Sequence, residues 1–298
     1  MSAEPHGWPV TADLFVGLVT HERSRFGDAV TSDGLMGRIA AEAAVRGVSV
    51  TTAISARDEY TEDLLPISPA VVRDSIRAEL DSELRWRSYL SGSAPGPGLR
   101  GFMTARRAYR TFRLAPPWRR TVTPEGARMV RRLANIELSH LRLIDEAVAS
   151  GARWALLLED DAGSEDPRTF TADLLRFMSE ADTRGTPLTV NMSESFSIAD
   201  LGIGHLLVPV PAEEAGPWPM LAASRPVTNT VCAVLYRHDF LVQLQQQVHD
   251  IPFAPVIPID FKLNEAFMRM APTVGRGDVW VASPAPLAQR SGVPAVRM

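Results

Sequence analysis

At 298 residues, 45% hydrophobic and 22% charged, the chain has an ordinary globular balance and suits one α/β domain spanning 1–298 with an insertion. Its net charge of −4 argues against nonspecific nucleic-acid binding. The single cysteine, Cys232, excludes an intrachain disulfide and a cysteine zinc cluster and fits a reducing, cytoplasmic setting.

In chain order, Leu14 to Thr20 reads as a buried strand, left by the loop His21 to Arg25. No basic region followed by an apolar core precedes it, so no ordinary signal peptide is expected. A helix from about Ser32 to Arg46 follows, capped by Ser32 or Asp33 and stopped by Gly47. Val48 to Ile54 is a second strand, and strand, helix, strand within so short a span is a parallel crossover unit. The first turn carries no GxGxxG or GxxxxGK[ST] loop, which argues against a Rossmann dehydrogenase or P-loop enzyme.

The pattern changes over 60–124, read as a helical, basic insertion. Pro66 to Leu90 has helical periodicity, Ser91 to Gly98 is a loop, and Arg106, Arg107, Arg110 and Arg113 recur at helical spacing around Tyr109 and Phe112. Those arginines suit a solvated helix face, or a flap that meets an anionic acceptor or a diphosphate. A helix from Pro124 to Ser150 is stopped by Gly151, and within it His140 reads as a packing or hydrogen-bonding residue. Further helices are expected from Asp166-Pro167 to Ala181, Arg237 to Val248 and Pro258 to Met270. Strands are expected at Pro187 to Met192, Thr228 to Tyr236 and Trp280 to Ala282. No apolar stretch is long enough to span a bilayer, so any membrane contact is expected to be peripheral.

The stretch Trp154 to Leu158 is too short and too uniformly apolar for an ordinary helix, and it breaks into Glu159-Asp160-Asp161. Ligands of parallel α/β sheets collect beyond the carboxyl ends of such strands. Three adjacent acids repel one another unless a cation or hydrogen bonds offset the charge, which points to a bound divalent ion. The same triplet also suits a solvated turn that opens the next element.

An acidic triplet ending a central strand resembles the DxD motif of the GT-A glycosyltransferases. Asn135 to Leu141 running into Ala152 to Asp161, Pro258-Ile259-Asp260, and Pro286 to Gly292 are similar to segments of glycosyltransferase family twenty-five, which contains lipopolysaccharide and procollagen galactosyltransferases. Thr20-His21-Glu22-Arg23 resembles the T-x-x-R at which many GT-A enzymes begin their nucleotide pocket, and departs from the asparagine and arginine pair usual in family twenty-five.

The resemblance implies a mostly parallel, Rossmann-like sheet flanked by helices, and a sugar nucleotide, foremost a UDP-sugar, as donor. It implies a glycan, lipid-linked saccharide or small natural product as acceptor, and Mn²⁺ or Mg²⁺ as cofactor. Asp161 would hold the metal, while Glu159 and Asp160 contact the donor or support the ligand. Gln289 stands where relatives carry a histidine ligand. Thr20, Arg23 and Asp58 are donor-site candidates from their places at strand ends. Asp260 is the candidate general base, with Glu194 as competing base or, in a retaining reaction, nucleophile. Asp260 also suits a plain helix cap. Trp218 between two prolines could stack on a sugar or base, and more simply pins its loop. A sugar-1-phosphate nucleotidyltransferase and a non-catalytic binding protein of the same fold stay open as alternatives.

Overall fold

The computed structural model describes residues 14–21, 24, 26–56, 68–114, 124–254 and 257–290. The chain opens with β1 (Leu14–Thr20), a 3-10 turn (Gly27–Val30), α1 (Leu35–Val45) and β2 (Val50–Ala56). Three helices follow: α2 (Pro69–Ser91), α3 (Pro97–Leu114) and α4 (Pro124–Ser150). Next come β3 (Trp154–Glu159), β4 (Ala162–Gly163), α5 (Pro167–Arg184), β5 (Thr189–Asn191), α6 (Ile198–Leu201) and β6 (Leu207–Pro209). The last elements are α7 (Ala212–Ala215), β7 (Met220–Ala223), β8 (Ala233–Arg237), α8 (His238–His249), α9 (Ile259–Met270), β9 (Val279–Ala282) and β10 (Ala288–Gln289).

Eight strands form one mixed sheet in the order β2-β1-β3-β8-β5-β9-β7-β6, with β10 and β4 as a separate antiparallel pair. β8 and β7 run against the rest, so six of the eight strands share one direction. This is an α/β sheet of Rossmann-like layout, with β1, α1 and β2 forming the expected parallel crossover. β3 pairs with the opposite edge of β1, so the chain switches sides of the sheet at β1. Open α/β sheets bind ligands at such a switch, beyond the carboxyl ends of the strands.

Both faces of the sheet are covered, which is why β1 and β3 read as unbroken apolar runs. Trp154, Leu156 and Leu158 pack on one face with α1 and α5 residues such as Ile39 and Phe177. Ala155 and Leu157 pack on the other with Leu143 of α4, Phe240 of α8 and Phe267 of α9. Gly17 lets α4 come close to β1. A Cβ there would sit 2.9 Å from a Leu157 methyl and 3.3 Å from a Leu143 methyl.

Some boundaries differ from expectation. The α1 cap is Gly34 rather than Ser32 or Asp33, because the 3-10 turn crosses so tightly that a Cβ at residue 34 would meet the Asp28 carbonyl at 2.4 Å. The expected strand from Thr228 begins only at Ala233, since side-chain hydrogen bonds hold residues 228–232 as a loop. α3 starts at Pro97, inside the expected loop, with proline in the first turn where its missing N–H is harmless. Trp218 stacks on Phe170 at 5.7 Å between ring centroids and packs against the core, which pins its loop.

Of the basic residues in the insertion, Arg106 pairs with Glu83 at 2.8 Å and Arg110 with Glu79, so these two serve the α2–α3 contact. Among the described residues no helix is long and apolar enough to cross a membrane.

Gly17→Val is expected to lower stability by about 1–3 kcal/mol, since the added methyls meet packed side chains on both sides. Urea denaturation should show a lower midpoint at unchanged slope.

Candidate active site

The site begins with the two-residue period of a strand. Odd-numbered β3 positions face α4 and α9, so Glu159 continues toward those helices, while Asp160 emerges on the other side at the β1 boundary. Glu159 therefore meets His140 of α4, with Nε2 and Oε1 3.3 Å apart. Asp160 accepts a 3.0 Å hydrogen bond from the Thr20 hydroxyl at the end of β1. Asp161 accepts from the Cys232 thiol at 3.3 Å and from the Gln289 amide nitrogen at 3.1 Å. Asp160 and Asp161 are both buried.

The backbone of this turn is equally fixed. Glu159 N–H donates to the Cys232 carbonyl at 2.7 Å and Asp160 N–H to the Val19 carbonyl at 3.0 Å. Arg290 donates its backbone N–H to the Asp161 carbonyl at 2.7 Å, and its guanidinium reaches the Asp160 carbonyl at 3.2 Å. The Arg290 side chain lies flat over Gly163, where a Cβ would come within 2.8 Å of it. It also stacks on Phe26, 5.0 Å from the ring centroid.

Opposite the strand tip stands the first turn of α9. Asp260 Oδ1 is shut away from solvent without a hydrogen-bond partner. Its pKa is pushed up to about 7, first by burial and then by the negative charge of Glu159. Two residues on, Lys262 forms a buried ion pair with Glu137 of α4, whose own carboxyl is raised by burial. Asn264 exchanges two 3.0 Å hydrogen bonds with the backbone of Thr228, tying α9 to the loop that delivers Cys232. Thr230 continues that loop, with its hydroxyl 2.7 Å from Ser193 Oγ and 2.8 Å from Ser195 Oγ. Burial raises the Cys232 thiol well above its ordinary range, reinforced by Asp161 and Glu159, so it stays protonated as a donor.

The structure thus gathers Thr20, Glu159, Asp160, Asp161, Asp260 and Gln289 at one edge of the sheet. Glu194 follows Ser193 at the same edge but is exposed, with no hydrogen bond or ion pair among the described residues. Arg23 and Asp58 lie outside the described residues. His140, Cys232, Lys262 and Arg290 are the members that sequence reasoning left without a role at this site. His205 and His249 sit elsewhere, against the Leu90 carbonyl and Asp145. A scan against protein-family models and a search of curated proteins returned no match for this chain.

Among the described residues no three His, Cys, Asp or Glu side chains converge as a metal cage. The donor set does fit an open site of another kind. Mg²⁺ and similar hard cations are commonly held by one or two carboxylates plus substrate phosphates. Asp161 supplies such a carboxylate, and the Gln289 amide would turn its oxygen inward to join it. The partners Asp161 now has, a thiol and an amide, are neutral.

The Asp260 shift carries a pH prediction. The unfolded chain releases this proton near 3.8 and the folded chain near 7, so the folded state binds the extra proton between those values and stability falls as pH rises through them. Asp260→Asn should therefore stabilise the protein at about pH 8, by on the order of 1–3 kcal/mol, and leave it unchanged below about pH 4. Thermal melts of both proteins across that range check the sign.

Proposed function

We propose that this protein is a metal-dependent glycosyltransferase of the GT-A kind. It would move a sugar from a nucleotide diphosphate sugar, foremost a UDP-sugar, to a hydroxyl of a saccharide or small-molecule acceptor in the cytoplasm. The observation that carries the reading is the buried carboxylate cluster at the tip of the central strand, faced by Asp260, whose pKa is pushed up to about 7. Its place at the β1–β3 switch point, and the resemblance of the acid-tipped strand to a DxD motif, support it further.

Asp161, with the Gln289 amide, would hold the divalent ion. Bound there, such an ion would supply positive charge to offset that developing on a departing diphosphate. Asp160, fixed by Thr20, and Glu159, fixed by His140, orient the donor. In an inverting displacement the acceptor oxygen bonds to the anomeric carbon as the bond to the diphosphate breaks. The electron pair leaves with the nucleoside diphosphate, and the acceptor proton passes to Asp260. A carboxyl of pKa about 7 suits a base working near neutrality. Arg290 keeps the Asp160–Asp161 turn from unwinding as charge shifts around it.

One observation favours a second reading, a nucleotide-sugar-binding protein without turnover: both Asp161 oxygens are already engaged, by Cys232 and Gln289. A donor panel separates the two. A UDP-sugar with Mn²⁺ or Mg²⁺ should raise the melting temperature, and Asp161→Ala should abolish the rise. Slow metal-dependent hydrolysis of the same donor should fall on the order of 10²–10⁴-fold in Asp260→Asn while donor stabilisation persists. Stabilisation without hydrolysis would select the binding protein. Metal-independent stabilisation would refute the transferase and select the binding protein, and absence of stabilisation by any UDP-sugar, with or without metal, would refute both.

A further inference from the structure

The α2–α3 hairpin has a polarity opposite to that of an ordinary surface helix pair. On α3 the arginines Arg106 and Arg110 point inward to Glu83 and Glu79, while Phe102 and Tyr109 point out, 63% and 59% exposed. Phe102, Ala105 and Tyr109 fall on one stripe of the helix, two turns long, with Ala108 beside it, and all four are exposed. Arg113 lies over the Tyr109 ring at 5.8 Å, at one end of the stripe. Leaving aromatic rings in water while turning arginines inward forgoes hydrophobic burial.

Beside the stripe is an open cleft of about 600 Å³ between the two helices, lined by Arg73, Arg77, Arg107, Thr104 and Thr111, with Asp74 the one acid. None of those three arginines has an ion-pair partner among the described residues, in contrast to Arg85, Arg87, Arg106 and Arg110 of the same hairpin, each paired with a glutamate. Between Pro69 and Leu114 there are nine arginines against four acids, a net +5 on a chain of net −4. An aromatic stripe flanked by unpaired guanidinium groups is the composition that seats at the headgroup level of an anionic bilayer, rings in the interface and cations on phosphates.

We propose that the α2–α3 hairpin docks this protein peripherally on an anionic lipid surface, with Phe102 and Tyr109 entering the interface and Arg73, Arg77 and Arg107 receiving lipid phosphates. This goes beyond the transferase reading and does not rest on it. A second copy of the chain is a poorer fit, because the stripe would bring two +5 hairpins face to face.

Co-sedimentation of the full chain with vesicles tests it. Binding is expected to equal mixtures of phosphatidylglycerol and phosphatidylcholine, with little to phosphatidylcholine alone, and should weaken in high salt. Phe102→Ser/Tyr109→Ser and Arg73→Glu/Arg107→Glu should each reduce it at least about tenfold. These side chains lie outside the core, so matching thermal melts establish that the variants are folded. Absence of binding to the anionic vesicles, or binding that both variants retain, overturns the proposal. So does a concentration-dependent dimer, seen by light scattering, that the aromatic variant abolishes.

Discussion

Three consecutive acids at the end of a strand covered on both faces are the constraint around which the rest of this structure is arranged. Such a triplet is tolerated only if its charges are separated and each carboxylate finds a donor. Strand alternation does the first, sending Glu159 toward α4 and α9 and Asp160 toward β1. The second draws on four separate parts of the chain: Thr20 from β1, His140 from α4, Cys232 from the loop before β8, and Gln289 from β10. The fold is assembled so that these distant residues meet at one edge.

The helices on that side follow from the same need. His140 reaches Glu159 only because α4 lies close on β1, and Gly17 removes the side chain that would hold it off. α9 is locked to α4 by Lys262 and Glu137 and to the Cys232 loop by Asn264. Its first turn is therefore held in place, and Asp260 keeps an unpartnered buried oxygen beside Glu159 instead of swinging to water. Rigid support of this kind is what the proposed role of Asp260 as a base requires.

The sequence made the central strand, the first crossover and the long α4 legible, because an apolar run broken by acids, a strand-helix-strand spacing and a stop glycine are local signals. It concealed what depends on pairing at long range. The short strands β4 and β10 carry too few residues for any pattern, yet their pairing brings Gln289 to Asp161. Residues 228–232 look like strand and are a loop, because the Thr230 hydroxyl is taken up by Ser193 and Ser195 and the Thr228 backbone by Asn264. Lys262, the only lysine, carries no local signal of the buried ion pair it forms with Glu137. The Asp260 environment was equally hidden, since burial and the charge of Glu159 belong to the assembled fold.

A comparison within the molecule bears on why the acids are there. Where this chain pairs an acid with a cation to hold structure, the cation is usually arginine: Glu79 with Arg110, Glu83 with Arg106, Glu265 with Arg85, Asp182 with Arg153. At the strand tip that rule stops. Among the described residues Asp160 and Asp161 have no cationic side chain paired to their carboxylates, only a hydroxyl, a thiol and an amide. Arg290 sits beside this turn, yet its guanidinium contacts the Asp160 carbonyl and its ion pair is with Asp28. Neutral donors orient a carboxylate without cancelling its charge, so the edge keeps a negative potential in a partly dry setting, where a multivalent cation is bound far more strongly than at an open surface. An arginine-rich chain that withholds arginine from its two most buried aspartates leaves their charge uncancelled, which is the condition the proposed divalent ion requires.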